Sequence, residues 1–212
     1  MQYSRDASEF DRAIAFIDAT FAVALTLLIT SLEIGDKSSS FTSLSALVDA
    51  VGSQFVAFII AFVVIAGYWL MNHRMVAAFV ALDTRTIVAS LCLVAAVVVL
   101  PFSTTAVGDP EVADLPLPSA LMAVNIAAMS ALHTLIWVLA GRGALLDHTP
   151  TSGEWRERVM DGLAPAAVFL ISVPVAYVAS PGIARLLWLS LLAVNPAVGA
   201  LMARARRLRD ER

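Results

Sequence analysis

Asp18 stands about one and a half turns inside the first apolar run of the chain, residues 12–34, RAIAFIDATFAVALTLLITSLEI. A carboxylate at that depth in a bilayer costs at least a few kcal/mol, so it needs a partner or a function. A proton relay would need more intramembrane ionisable groups than this chain has, which leaves a hydrogen bond between helices as the expected use. Arg12 lies six residues away, out of step with the three- or four-residue spacing of a pair within one helix. The expected partner is therefore His73 or Asn72, at comparable depth near the end of the second apolar run. The opposite side of the same helix carries different chemistry. At about 100° per residue, Phe16, Val23, Leu27, Thr30 and Ile34 share a sector roughly 60° wide, with Thr26 at its edge and Asp18 about 140° away. A narrow, mostly aliphatic stripe of this kind is ordinary packing or lipid contact unless several copies of the helix surround a common axis.

The remaining reactive side chains are few. Three histidines, His73, His133 and His148, do not form a metal site, and the lone cysteine, Cys92, cannot make a disulfide within the chain. Gly-rich phosphate loops, nucleophile elbows and metalloprotease motifs are absent, so no enzyme is expected.

The elements that position these residues are membrane spans. Of 212 residues, 59% are hydrophobic and only 15% charged, where a soluble domain carries about 25%. Apolar segments at about 13–32, 44–72, 86–107, 118–140, 160–179 and 183–203 predict an all-α, polytopic protein, one six-helix transmembrane domain over residues 1–212 with no internal repeat. The second segment exceeds a perpendicular span and should tilt or project. Pro101 should stop or kink the third, and Pro165 and Pro174 should bend the fifth. No basic leader precedes the first run, so no signal peptide is read.

Charge sets the expected orientation. With the N-terminus inside, the outer connections keep only Lys37 and Arg185 of the 14 Lys and Arg, a strong positive-inside bias that makes both termini cytoplasmic. The outer connections hold Asp36, Asp109, Glu111 and Asp114, a solvated set with a weaker reading as a cation-attracting vestibule. The arginine-rich tail reads as a topology anchor.

Arg12, Phe16 and Asp18 resemble the RxxxFSD signature that opens the first helix of the transmembrane protein 175 channels, potassium channels of lysosomes and bacteria. Tyr68-Trp69, His73-Arg74 and the run Leu100-Pro101-Phe102-Ser103-Thr104 are similar to the same family, clearest over residues 12–105. The signature serine is Ile17 here, and the third helix has Ser90 and Cys92 where bacterial members often carry an asparagine. The resemblance implies a bacterial, multi-pass cell-membrane protein that forms a homotetramer, with the first helices lining a central pore. It implies potassium ions as the permeating species, without cofactor or nucleic acid, and filter rings at Val23, Leu27 and Thr30 with a threonine layer at Thr26. Arg12, Phe16, Asp18 and His73 become signature and assembly residues. No TVGYG-like carbonyl filter is present. The competing readings are a small secondary transporter, which would want broken helices, midplane charges and a repeat, and a non-conducting membrane scaffold.

Overall fold

The computed structural model describes residues 2–35 and 37–188. The elements are β1 (Gln2–Ser4), α1 (Ser8–Leu27), a 3-10 turn (Leu28–Ser31), α2 (Lys37–Ser40), α3 (Leu44–Ala77), β2 (Ala81–Asp83), α4 (Thr84–Gly108), α5 (Pro116–Arg142) and α6 (Ser152–Val178). Residues 181–188 are again helical. Five helices, α1 with its 3-10 turn and α3 to α6, are long and apolar enough to cross a membrane. The rest of the expected 183–203 span, the arginines after it and Asp36 lie outside the described residues.

Helix starts follow local chemistry. Ser43 accepts a hydrogen bond from the Ala46 amide at the start of α3, and Asp83 does the same for Thr86 at α4. At α6 the Thr151 hydroxyl accepts from the Glu154 amide while the Glu154 carboxylate accepts from the Thr151 amide, a reciprocal box that satisfies two otherwise orphan donors. Burial raises the Asp83 carboxyl, but the Thr86 hydrogen bonds, aided by Arg85, outweigh it and leave its pKa below the usual value.

α3 is 34 residues long, about 51 Å at ~1.5 Å per residue, and so overshoots the ~30 Å hydrocarbon core as its sequence suggests. Pro101 does not stop α4, which continues to Gly108. The hydroxyls of Ser103 and Thr104 donate to the Leu100 carbonyl and Thr105 to that of Pro101, back-bonds just past the proline, while the carbonyl that loses its amide partner to the proline is that of Val97. α6 likewise runs unbroken through Pro165 and Pro174.

The core lies between α1, α3, α4 and α5, around Phe21, Leu28, Ile65, Leu93, Leu100, Met122, Ile126 and Ile136, all fully buried. α4 packs on α1, α3 and α5, and α5 also packs on α6. Asn125 of α5 donates to the Ala96 carbonyl of α4, and Tyr68 of α3 shares a short hydrogen bond with Ser130 of α5. Gly162 of α6 sits directly against Thr134 of α5, with no room there for a Cβ.

One end of the bundle carries a small hydrogen-bonded collar that the apolar pattern does not foreshadow. β1 pairs antiparallel with β2, Tyr3 opposite Leu82. The 143–151 connection joins them: the Val80 amide donates to the Leu145 carbonyl and the Asp147 amide to that of Ala78. The Arg5 guanidinium donates to the carbonyls of Ala77 and Phe79, covering the end of α3.

Candidate functional site

α1 divides into three faces. Phe10, Ile17, Phe21, Ala24 and Leu28 form the buried one, turned to α3 and α4. Ile17, which stands where the signature has serine, is therefore a packing residue here. The second face is the stripe. Phe16 is 56% exposed, Val23 53% and Leu27 41%, and Arg12, Thr26 and Thr30 are exposed as well. These apolar side chains are only about half covered by the described residues.

The end of the helix sharpens this face. The chain tightens into a 3-10 turn at Leu28–Ser31, where side chains three apart eclipse one another. Thr30 is thereby drawn into line beyond Leu27, while Ser31 lines up with Leu28 on the buried side, both nearly inaccessible. Ile34 falls beyond the turn and leaves the helix, because Gln54 of α3 grips the backbone of Glu33, accepting from its amide at 2.6 Å and donating to its carbonyl at 3.1 Å.

The threonine hydroxyls have defined directions. Thr26 donates to the Val23 carbonyl at 2.8 Å and Thr30 to that of Leu27 at 2.6 Å. With each proton committed to the backbone, the oxygen keeps lone pairs able to accept.

The third face holds Asp18, and here the expected partner is corrected. The Trp69 indole N–H donates to Asp18 Oδ1 at 3.1 Å, in place of His73 or Asn72. Asn72 is buried, and His73 stacks on the Trp69 ring at 5.5 Å and 28°. His73 thus reaches Asp18 only through the indole it supports. The signal was available: Trp69 precedes His73 by four residues and shares its helix face.

Beyond the 3-10 turn, a recess of about 350 Å³ is lined by Ser31, Glu33, Gln54, Thr105, Asp109 and Glu111. Of the four acids expected in these connections, Asp109 and Glu111 line it, joined by Glu33; Asp114 does not, and Asp36 lies outside the described residues. Ser90 is buried and donates to the Thr86 carbonyl, whereas Cys92 faces outward. Among the described residues no group of three or more His, Cys, Asp or Glu could hold a metal.

Comparison with known proteins gives the arrangement a context. Residues 12–101 match the model of a family described as the endosomal/lysosomal potassium channel TMEM175. No curated protein matches the chain. Among solved structures, the fold resembles a crystal structure of a lysosomal potassium-selective channel TMEM175 homolog from Chamaesiphon Minutus, at 20% identity and a TM-score of 0.73, covering 91% of this chain and 98% of that one. It also resembles a variant of the potassium channel MtTMEM175 in complex with a Nanobody-MBP fusion protein, at 16% identity and a TM-score of 0.64, covering 95% of each chain. These similar proteins are ion channels and not enzymes. The family match covers residues 12–101, under half of the chain, while the likeness of fold to these channel structures extends over nearly all of it.

Proposed function

We propose that the protein is a potassium-selective channel whose pore is lined by α1 helices from four copies of one six-helix chain, with Val23, Leu27 and Thr30 as filter rings and Thr26 as an oxygen layer. The observation that carries this reading is the bare face of α1, an apolar stripe left exposed on a helix that buries a separate face against α3 and α4. Lipid would cover such a stripe as readily as a pore would hold it, but lipid supplies no use for threonines spaced among the rings. The arginine asymmetry puts both termini, the collar and the Arg12 end of α1 in the cytoplasm, and the acidic recess outside. Arg12, Phe16, Asp18 and His73 then act in assembly and not in permeation.

An ion crossing an apolar ring gains no coordinating oxygens, so it passes with most of its water or not at all. Potassium holds that water less tightly than sodium, which makes a narrow apolar ring harder for sodium; hydrophobic constrictions can also close by dewetting. Valine at position 23 is shorter than the isoleucine or leucine common there in relatives, so Leu27 becomes the narrowest ring. Leu27→Ala is expected to raise sodium permeability relative to potassium, Thr26→Val to lower selectivity with little effect on folding, and Val23→Leu to lower conductance. Reversal potentials in bilayers under bi-ionic conditions test this, with native mass spectrometry in mild detergent testing for a tetramer. A strictly monomeric protein, or a permeability ratio unmoved by both Leu27→Ala and Thr26→Val, would show that the stripe is packing.

A further inference from the structure

We propose that a recess at the collar end of the bundle binds a phosphate group, presented by an anionic lipid headgroup or free in solution. The recess holds about 60 Å³, room for roughly two waters at ~30 Å³ each, and so in the size class of a small oxyanion. Its wall draws on four separate pieces of chain: Arg74 of α3, Trp137 of α5, His148 of the 143–151 connection, and Glu154 and Arg158 of α6.

The charge arrangement points to an anion. Neither Arg74 nor Arg158 forms an ion pair or hydrogen bond with another described residue. Glu154 is the one carboxylate in the wall, and it is already engaged. It accepts from the Thr151 amide at 2.7 Å and hydroxyl at 3.1 Å, and lies 3.5 Å from His148 Nε2. The hydrogen bond that the His148 ring donates to the Asp147 carboxylate holds that imidazole's pKa above its ordinary value, so the ring keeps its positive charge closer to neutral pH. Among the described residues, no acid pairs with either guanidinium.

The apolar part of the wall is stiff. Trp137 meets Trp155 edge to face, with ring centroids 4.6 Å apart, a favoured aromatic geometry. A guanidinium presents its donors in a flat fork that matches the oxygens of a phosphate, and two of them on one small recess can grip a single phosphate from separate helices. The positive-inside reading places this end at the cytoplasmic headgroup layer, where anionic lipid is concentrated. The recess is separate from the bare face of α1 and from the Asp18 contact.

The test uses the full chain purified in neutral detergent, with dioleoyl phosphatidic acid, dioleoyl phosphatidylcholine and inorganic phosphate as probes, and bound lipid counted by native mass spectrometry. Phosphatidic acid should be held about tenfold more tightly than phosphatidylcholine, about what one or two charge-assisted hydrogen bonds supply. That preference should vanish in Arg74→Gln/Arg158→Gln and persist in Arg142→Gln/Arg156→Gln, which removes two exposed arginines outside the recess. Displacement by millimolar inorganic phosphate would identify the phosphate itself as the ligand; persistent lipid binding without displacement would identify the lipid. Should the α3 change disturb folding, Arg158→Glu on the exposed start of α6 gives the same readout alone. Equal loss in both double variants, or saturable binding of neither probe, overturns the proposal. Binding is measured without conduction, so this result and the channel reading stand or fall separately.

Discussion

The Trp69 indole N–H is what makes Asp18 tolerable within a membrane span. A hydrogen bond to an ionised group contributes roughly 1.5–3 kcal/mol when buried, and less here because both partners are only partly covered in the single chain. Trp69→Phe removes the donor while keeping a ring over His73, and Asp18→Asn keeps an acceptor while removing charge. Each is expected to lower the unfolding free energy in detergent by about 1 kcal/mol, and the double variant by clearly less than the sum, since both delete the same bond. Additive losses would mean that Asp18 is held by another group. The need for a partner was legible from a carboxylate in an apolar run. The partner's identity was not, because depth alone cannot choose between residues four apart on neighbouring turns.

Among the elements, α4 and α5 are the most covered spans and α1 the least, which follows from their positions in the packing order. The close approach of α5 and α6 depends on Gly162, where an added Cβ would collide with the Thr134 hydroxyl. Gly162→Ala should therefore destabilise the protein by about 1–3 kcal/mol, as overpacking does, despite alanine's better helix propensity. Thr134→Ala in the same chain should recover most of the loss in thermal unfolding, and no recovery would place the strain elsewhere. Apolar periodicity disclosed the existence and order of the spans. It missed the C-terminal end of α3, which runs five residues past 72 to Ala77, and of the two outcomes expected at Pro101, a stop or a kink, the stop does not occur, since α4 continues to Gly108. The collar was illegible for another reason: QYS and ALD carry no strand pattern on their own, and they pair only because the helices bring them together.

At the scale of the whole molecule, the collar joins three stretches far apart in the sequence and ends where α1 begins. If Arg5 is the clasp, Arg5→Ala should speed amide exchange in residues 78–83 and in the first turn of α1, read by hydrogen-exchange mass spectrometry. Unchanged exchange in both would mean that the strand pairing suffices by itself. The spacing is telling. Only residues 5–7 separate β1 from α1, and two of their amides are already committed, Arg5 to the Val80 carbonyl and Ala7 to that of Ser4. Such a tether has almost no slack. Any sideways shift of the α3–α4 turn or the α5–α6 turn must arrive at the foot of α1 as a pull, and a rigid helix pulled at its foot swings along its whole length like a lever. Leu27 and Thr30 ride at the far end of that lever, where a small tug on the collar becomes the largest displacement.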